Sequence, residues 1–195
     1  YKDRLKCILC DLSDSSQIEI LATESKKYFG SINILINNAG ITKDNLFLRM
    51  KKEEWQEVLN VNLFSAFKLT QLVMKDMVKS KWGRIINISS GAAKIGNPGQ
   101  ANYVASKSAL EGMTRTLANE VASRGITVNC IAPGFIKTNI INSINKDRLE
   151  TMVSKIPMGR IGESSDIASA AFFLSSEESS YITGQVLHIN GGLTM

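Results

Sequence analysis

A serine, a tyrosine and a lysine in this chain have the types and spacing needed to polarise a carbonyl group and deliver a proton to it. Tyr103 and Lys107 are four residues apart, so they share one face of a helix. A free tyrosine titrates near ~10, and a lysine cation one turn away lowers that pKa by stabilising the phenolate. Moving the pKa to about 7 takes roughly 4 kcal/mol, so a second positive charge nearby would help. Ser90, thirteen residues before Tyr103, can donate a hydrogen bond to the carbonyl oxygen.

Further polar and small residues lie where they could join the same site. Asn37-Asn-Ala-Gly40 follows one apolar run and Pro133-Gly134 follows another, and small residues there let the backbone approach a ligand. Asn62 lies within an apolar helical stretch, where an amide needs buried partners. Each feature alone fits a turn or a satisfied core amide, and Tyr-x-x-x-Lys alone is a weak pattern. Their agreement along the chain indicates one site.

Alternating strand and helix patterns must position these residues. Apolar runs predict strands at residues 7–10, 32–36, 84–88, 127–131 and 186–189, and helical periodicity predicts helices at 15–29, 52–79, 101–123 and 166–174. This order predicts an α/β fold of the Rossmann type, a single domain with a doubly wound parallel sheet. Ligands bind at the carboxyl ends of such strands, where the polar residues fall. The irregular stretch 133–162 is predicted to be a mobile lid.

Composition narrows the function classes. The chain has 195 residues, 44% of them hydrophobic and 21% charged, which is typical of a globular domain. Without an apolar run of about 18 residues, a membrane span is not expected. The net charge of +5 is scattered rather than clustered, which argues against a nucleic-acid groove. It leaves two readings open, a plain solvated surface and a surface that docks an acidic partner.

The three cysteines cannot all pair with one another, so free thiols in a reducing compartment are expected. Cys7 and Cys10 have the spacing of a redox or metal motif. In a strand, however, residues three apart point to opposite faces, and no metal site is predicted.

These motifs resemble those of the short-chain dehydrogenase/reductase family, over essentially the whole chain. The family's Asn-Ser-Tyr-Lys tetrad corresponds to Asn62, Ser90, Tyr103 and Lys107. The resemblance implies that Tyr103 is the general acid in reduction and that Ser90 holds the carbonyl. It implies that Lys107 binds the nicotinamide ribose and lowers the tyrosine pKa, while Asn62 anchors a water joining Lys107 to solvent. The cofactor-binding residues that it implies are Asp11, Leu12, Asn38, Ala39, Gly40, Tyr103, Lys107, Pro133, Gly134, Ile136 and Thr138.

Within that set the resemblance implies separate roles. Asp11 and Leu12 match the pair beside the adenine, and Asn38 lies beside the adenosine ribose. Ile136 would pack by the nicotinamide, and Thr138 would lie near its carboxamide.

Several stretches are similar to one branch of the family, the bacterial-type 3-oxoacyl-[acyl-carrier-protein] reductases. They are residues 38–46, 49–50, 96–103, 122–129 and 188–192. The branch implies NADPH as cofactor, a homotetramer, a bacterial cytoplasmic location and an acyl thioester carried on an acidic carrier protein. Lys81 and Arg124 match positions where the branch docks the carrier, although plain surface charge explains them equally well.

One motif of the family is absent. The Gly-rich phosphate loop Thr-Gly-x-x-x-Gly-x-Gly does not occur, and we expect it upstream of Tyr1, with the first strand and any organellar transit peptide. A chain lacking those parts is predicted to leave apolar surface bare and to bind cofactor poorly.

Two other functions stay open at this stage. One is a dehydrogenase for a different alcohol or ketone, since the loops at 91–100 and 135–157 do not reveal a substrate. The other is a non-catalytic nucleotide-binding regulator, against which the complete tetrad counts. A hydrolase is disfavoured because His188 lies in the last predicted strand and Ser90 is not in a G-x-S-x-G elbow.

Overall fold

The computed structural model describes residues 5–137 and 146–195, and a parallel four-stranded sheet lies at its centre. The strands lie side by side in the order β1 (Ile34–Asn37), β2 (Gly83–Ile88), β3 (Ile126–Pro133) and β4 (Val186–Ile189). Parallel neighbours need crossover connections, which helices supply. The α-helices are α1 (Ser15–Phe29), α2 (Lys52–Leu59), α3 (Ser65–Ser80), α4 (Ala92–Ile95), α5 (Ala101–Val121), α6 (Lys146–Val153) and α7 (Ser164–Leu174).

The two faces of the sheet carry separate apolar clusters. Neighbouring strand residues such as Ile85 and Ile86 point to opposite faces, and each joins a different cluster. One cluster packs α3 and α5 on the sheet and contains Leu35, Val73, Met77, Ile85, Ala118, Val121, Ile126 and Val128. The other packs α7 on the opposite face and contains Ile86, Ile88, Ile131 and Leu174. Helices therefore cover both faces, and the predicted Rossmann-type α/β fold is confirmed.

The first helix shows how local sequence sets an element's limits. The Asp14 carboxylate accepts a hydrogen bond from Ser16 N at 2.8 Å and caps the start of α1. Gly30 follows the helix with φ at 75°, a conformation that side chains disfavour. Both limits agree with the sequence prediction.

The predicted strand at 7–10 is wrong, because this segment is irregular in the structure. A strand needs a neighbour to pair with, and residues 7–10 find none within 5–137 or 146–195. Leu9 is fully exposed, so apolar residue types alone did not make a strand there.

The prediction that residues 32–36 form a strand buried on both faces is also wrong in part. β1 spans Ile34–Asn37 and lies at one edge of the sheet. Leu35 is buried, but Ile34 and Ile36 are 43% and 44% exposed.

The predicted helix at 52–79 is continuous but irregular. α2 and α3 are joined by a π-helical turn, Asn60–Phe64, and the turn carries Asn62. Such turns insert one extra residue per helical turn and are frequent at functional sites. Among the helices described, none is both long enough and apolar enough to cross a membrane.

The stretch predicted as a lid is held at both ends. Ile136 and Gly162 form an isolated parallel bridge, with Lys137 N donating to Gly162 O at 2.8 Å and Gly162 N donating to Phe135 O at 2.9 Å. We call this contact the Ile136–Gly162 bridge. Nearer the far end, Met158 N donates to Gly191 O at 3.1 Å. Mobility of the stretch remains a prediction.

Candidate active site

A cavity of about 830 Å³ opens at the carboxyl ends of β1, β2 and β3, where a parallel sheet places its ligands. One wall comes from α7, and the floor comes from the segments that follow the strands. Most of the predicted site residues line this cavity: Asn38, Gly40, Ser90, Tyr103, Lys107, Pro133, Gly134 and Ile136.

Tyr103 and Lys107 are on the first turns of α5, facing the cavity. Lys107 is 3% exposed, its Nζ donates to Ile88 O at 2.7 Å, and it lies 5.8 Å from the centre of the Tyr103 ring. Burial lowers the pKa of Lys107 to about 8, because the cation loses its water. Burial acts on Tyr103 in the opposite direction and raises its pKa, while the Ser90 hydroxyl partly offsets that rise. The predicted lowering of the Tyr103 pKa by Lys107 is therefore not found in the protein alone, and Tyr103 keeps its proton at neutral pH.

Ser90 follows β2, and main-chain hydrogen bonds fix the segment around it. Ser89 N donates to Ile131 O at 2.7 Å and Gly91 N donates to Pro133 O at 2.8 Å, so pairing with β3 continues past the end of β2. Ala92 N donates to the Ser90 Oγ at 3.2 Å. The hydroxyl keeps its proton available for a substrate oxygen in the cavity.

Asn62 ties the π-helical turn to the loop after β1 and to α5. Ile41 N donates to its Oδ1 at 2.8 Å, and its Nδ2 donates to Ile41 O at 3.0 Å and to Ser106 Oγ at 3.1 Å. Ser106 Oγ then donates to Tyr103 O at 2.7 Å. The buried amide thus links the loop that lines the cavity to the helix that carries the tyrosine. Its side-chain donors are both used by protein atoms, and its water-anchoring role remains a prediction.

Two glycines beside the cavity lie where neighbouring protein atoms leave little space for a side chain. A Cβ on Gly40 would lie 3.2 Å from Lys107 Nζ and 3.4 Å from Asn62 Oδ1. A Cβ on Gly134 would lie 2.8 Å from Asn190 Cα. The cavity beside them is lined by the Lys107 cation and by the hydroxyl groups of Ser90 and Tyr103. This lining fits the nicotinamide and ribose part of a dinucleotide.

Other predicted residues lie elsewhere. Asp11, Leu12 and Ala39 are not among the residues that line the cavity. The Asp11 carboxylate instead accepts hydrogen bonds from Ser13 N and Ser13 Oγ at 2.8 and 2.7 Å, which hold its pKa below the usual value. Thr138 lies outside the described residues.

Lys81 and Arg124 are exposed side by side at the opposite end of the sheet. Lys81 follows α3 just before β2 begins, and Arg124 ends a short 3₁₀ turn before β3 begins. A Cβ on Gly125 would lie 2.5 Å from Lys81 O, so the two segments touch. The strands β2 and β3 separate this pair from the cavity within one chain.

Sequence reasoning missed several buried polar residues around the site. A row of side-chain contacts crosses the sheet: Asn37 Nδ2 donates to Asn87 Oδ1 at 2.8 Å, Asn87 Nδ2 donates to Thr114 Oγ1 at 2.8 Å, and Thr114 Oγ1 lies 3.2 Å from Cys130 Sγ.

A second missed contact joins Ser89 to Glu111. Ser89 Oγ donates to Glu111 Oε1 at 2.6 Å. The available signal was spacing, because Glu111 comes four residues after Lys107 and eight after Tyr103, on the same helix face.

His188 lines a separate cavity of about 360 Å³, together with Arg160 and Asp166. Its Nδ1 is buried and has no hydrogen-bond partner within the described residues. It does not line the cavity that holds Ser90, so the two do not form a nucleophile–base pair here.

Comparison with known proteins agrees with this geometry. A family model described as Enoyl-(Acyl carrier protein) reductase matches residues 2–194. The 3-oxoacyl-[acyl-carrier-protein] reductase of Salmonella typhimurium is 47% identical over 190 residues, which cover 97% of this chain and 78% of the relative. The corresponding reductase of Vibrio cholerae is 45% identical over 193 residues, covering 99% of this chain and 79% of the relative. Sequence, fold and site together mean that this chain belongs to the short-chain dehydrogenase/reductase family of nicotinamide-dependent oxidoreductases.

Proposed function

We propose that this protein reduces 3-oxoacyl-[acyl-carrier-protein] to 3-hydroxyacyl-[acyl-carrier-protein] with NADPH, in fatty acid biosynthesis. The observation that carries the proposal is the convergence of Ser90, Tyr103 and Lys107 on one cavity, in a chain 47% identical to reductases of that name. Ketone reduction needs a donor to the carbonyl oxygen and a proton for the alkoxide, and this cavity provides both.

Each of the three side chains has a separate task in this proposal. The Ser90 hydroxyl donates a hydrogen bond to the ketone oxygen and holds it beside Tyr103. The reduced nicotinamide, when bound, supplies the hydride. The Tyr103 hydroxyl gives its proton to the developing alkoxide, and the Lys107 cation stabilises the phenolate that remains. Because burial keeps the pKa of Tyr103 above its ordinary value, the acid form is present at neutral pH.

The cofactor assignment divides into a general and a specific part. Family membership gives a nicotinamide cofactor, whose ribose Lys107 would hold in the cavity. NADPH rather than NADH is the specific proposal, and it rests on resemblance to the 3-oxoacyl reductases. Contacts from Asp11, Leu12, Asn38, Ala39, Ile136 and Thr138 remain predictions.

We also propose that the substrate arrives on an acidic carrier protein in a reducing, bacterial cytoplasm. The net charge of +5, the relatives' printed names and three free cysteines support this setting. Lys81 and Arg124 form an exposed basic pair and remain the proposed docking residues. Their distance from the cavity of their own chain favours delivery to a neighbouring subunit.

A homotetramer is the proposed assembly, and two exposed apolar surfaces support it. The first, which we call the helix strip, runs along α2, the π-helical turn, α3 and α5 and consists of Leu59, Leu63, Phe64, Phe67 and Met113. The second consists of Phe172 and Phe173 of α7 and Leu187 of β4, exposed by 79%, 43% and 38%. Two separate surfaces that each pair with their own copy generate a tetramer with two-fold axes.

The proposal is tested with the full-length enzyme, by following NADPH oxidation in the presence of an acetoacetyl thioester. We expect turnover with NADPH well above that with NADH, and a loss of about 10²-fold or more in Tyr103→Phe. Tyr181→Phe is the matched control, because Tyr181 is fully exposed and should leave the rate unchanged.

Other outcomes point to the alternative functions. Because the matching family model is described as an enoyl reductase, a crotonyl thioester is assayed in parallel, and turnover of that compound alone would replace the proposed substrate. Cofactor binding without turnover of either thioester would indicate another ketone or alcohol. Failure to bind either cofactor would favour a non-catalytic protein.

A further inference from the structure

Several side-chain hydrogen bonds tie Ser89 and the carboxyl half of β2 to α5, including one from Ser89 Oγ to Lys107 O at 3.5 Å. The two shortest differ in whether they use the side chain of a residue of the proposed reaction. Lys107 Nζ donates to Ile88 O at 2.7 Å, and Ser89 Oγ donates to Glu111 Oε1 at 2.6 Å. The first uses the ammonium that the proposed mechanism needs at the cofactor ribose. The second holds the strand end whichever way Lys107 points.

The position of Ser89 gives this second contact its importance. Ser89 and Ser90 are adjacent at the end of an extended strand, so their side chains point to opposite sides. Ser90 is directed at the cavity and Ser89 at α5, where it is 3% exposed. Any movement of Ser89 relative to α5 therefore moves Ser90 relative to Tyr103.

Glu111 lies where it can affect the positions of both Ser90 and Tyr103. It shares a helix face with Tyr103 and Lys107, two turns and one turn further along α5. Within the described residues it forms no ion pair shorter than 4 Å. Its one hydrogen bond from a side chain comes from Ser89. A hydroxyl donating to a carboxylate at this distance is among the stronger neutral-to-charged hydrogen bonds.

We propose that Ser89 and Glu111 are positioning residues, which hold the Ser90 hydroxyl and the Tyr103 hydroxyl at the separation needed to share one substrate oxygen. This rests on the proposed function, in which those two hydroxyls act together. Misplacing catalytic groups by about 1 Å can lower the rate by about 10²-fold. A hydrogen bond that fixes the positions of Ser90 and Tyr103 therefore affects turnover. Neither residue touches substrate in this scheme.

The test compares the full-length wild type with Ser89→Ala, Glu111→Leu, Glu111→Gln and the double variant Ser89→Ala/Glu111→Leu. Each single loss of the contact should lower kcat by about tenfold, with the KM for the thioester and the Kd for NADPH within about twofold. The double variant should be no slower than the slower single, because both remove one contact. Glu111→Gln keeps an acceptor oxygen and should recover kcat to within about threefold. Glu120→Leu, on an exposed position of the same helix, is the control and should match the wild type.

Several results would overturn the proposal. One is a normal kcat in the Glu111→Leu variant. Another is a fall in kcat in the double variant that equals the product of the falls in the two single variants. A third is a fall in kcat accompanied by an equal loss of NADPH binding, which would indicate a general structural role.

A second measurement does not depend on turnover and separates this proposal from the proposed function. Amide hydrogen exchange of Glu111→Leu should speed up in the segment 89–95 after β2 and stay unchanged in β1, while Glu111→Gln should exchange as the wild type does. If the wild type reduces no thioester but the variants differ from it in this way, Ser89 and Glu111 hold the segment and the proposed substrate is wrong. Unchanged exchange in the segment means that Ser89 and Glu111 do not hold it.

Discussion

At the scale of single residues, Gly40 is packed closely against Lys107, one of the proposed reacting groups. Its missing side chain leaves space next to Lys107 Nζ and Asn62 Oδ1, which a Cβ would approach to 3.2 and 3.4 Å. Neither neighbour is free to retreat, because Lys107 is bonded to Ile88 O and Asn62 to Ile41. The glycine therefore fixes how close the loop after β1 can come to α5.

Gly40→Ala should lower kcat/KM by about tenfold or more, since the new methyl group displaces Lys107. The matched control is Gly112→Ala, which lies in α5 with nothing within 4 Å of the added Cβ. That change should leave the rate intact and raise the free energy of unfolding by about 0.5–1 kcal/mol, because alanine favours helix. Steady-state kinetics and urea unfolding check both variants. Equal rates in the two would show that Lys107 has room to move.

The pKa of Lys107 gives a prediction about stability in the cofactor-free protein. Burial lowers this pKa from 10.5 to about 8. Between these values the unfolded chain binds the additional proton, so the cost of burying the cation is present below pH 8 and fades as the pH rises towards 10. Relative to Lys107→Met, the wild type should gain about 2 kcal/mol in free energy of unfolding from pH 7.5 to pH 10.

Urea denaturation of both proteins across that range measures the difference. Tyr103 and Cys130 are present in both, so their own ionisation largely cancels in the comparison. A difference that does not vary with pH would mean that Lys107 stays charged and hydrated in the folded protein.

At the scale of elements, the π-helical turn Asn60–Phe64 explains how a polar residue can sit inside an otherwise apolar helix. The turn directs Asn62 at the loop after β1, where its amide forms three hydrogen bonds with Ile41 and Ser106. The amide thereby connects three elements that converge on the site.

Asn62→Ala should lower the free energy of unfolding by about 1–3 kcal/mol, because it leaves partly buried main-chain groups of Ile41 without partners. It should also lower kcat, since Ser106 and the Tyr103 main chain lose their support. Asn60→Ala is the control within the same turn, because the Asn60 side chain accepts one exposed hydrogen bond, from Gln56, within the part of the chain that the structure describes. Thermal unfolding and kinetics distinguish the two, and equal stability of both variants would contradict the role given to Asn62.

Sequence patterns predicted most elements because their signals are local. The helical periodicity of α1, the glycine that follows it at Gly30 and the apolar runs of β2, β3 and β4 are all visible along the chain. The errors occur where pairing decides the structure. Residues 7–10 have strand-like composition without a partner within the described residues, and β1 is an edge strand although its residues suggested burial on both faces.

The residues of the site likewise divide into those that local sequence patterns reveal and those that depend on contacts between distant parts of the chain. Ser90, Tyr103, Lys107 and Gly40 could be found from motif spacing, and the structure brings them to one cavity. The Ser89–Glu111 contact and the amide row at Asn37 and Asn87 could not, because each joins residues that are 22 or more positions apart. A π-helical turn has no sequence signature of its own, since apolar spacing looks the same on either side of it.

At the scale of the whole molecule, the helix strip predicts how copies of the chain associate. Phe67 lies on α3 beside the other apolar side chains of the helix strip, and it is 43% exposed. Phe67→Glu should convert a tetramer into a dimer, because a carboxylate in a self-paired surface meets its own copy. Light scattering coupled to gel filtration measures the mass.

The control for this change is Lys75→Glu, also exposed on α3 but outside the strip, which should leave the mass unaltered. Phe172→Glu on the second apolar surface should also give a dimer, through loss of the other pairing. A wild type that is monomeric at micromolar concentration would contradict the proposed assembly.

The Ile136–Gly162 bridge has a consequence for how this scaffold can diversify. Its two main-chain hydrogen bonds, 2.8 and 2.9 Å long, hold residues 135–137 against Gly162. Because main-chain atoms form this bridge, we expect that side chains between its two ends can change while Ile136 and Pro133 keep their spacing at the cavity. We therefore expect a grafted stretch of different composition to change which ketone is accepted, while Tyr103 on α5 keeps its place as the proton donor.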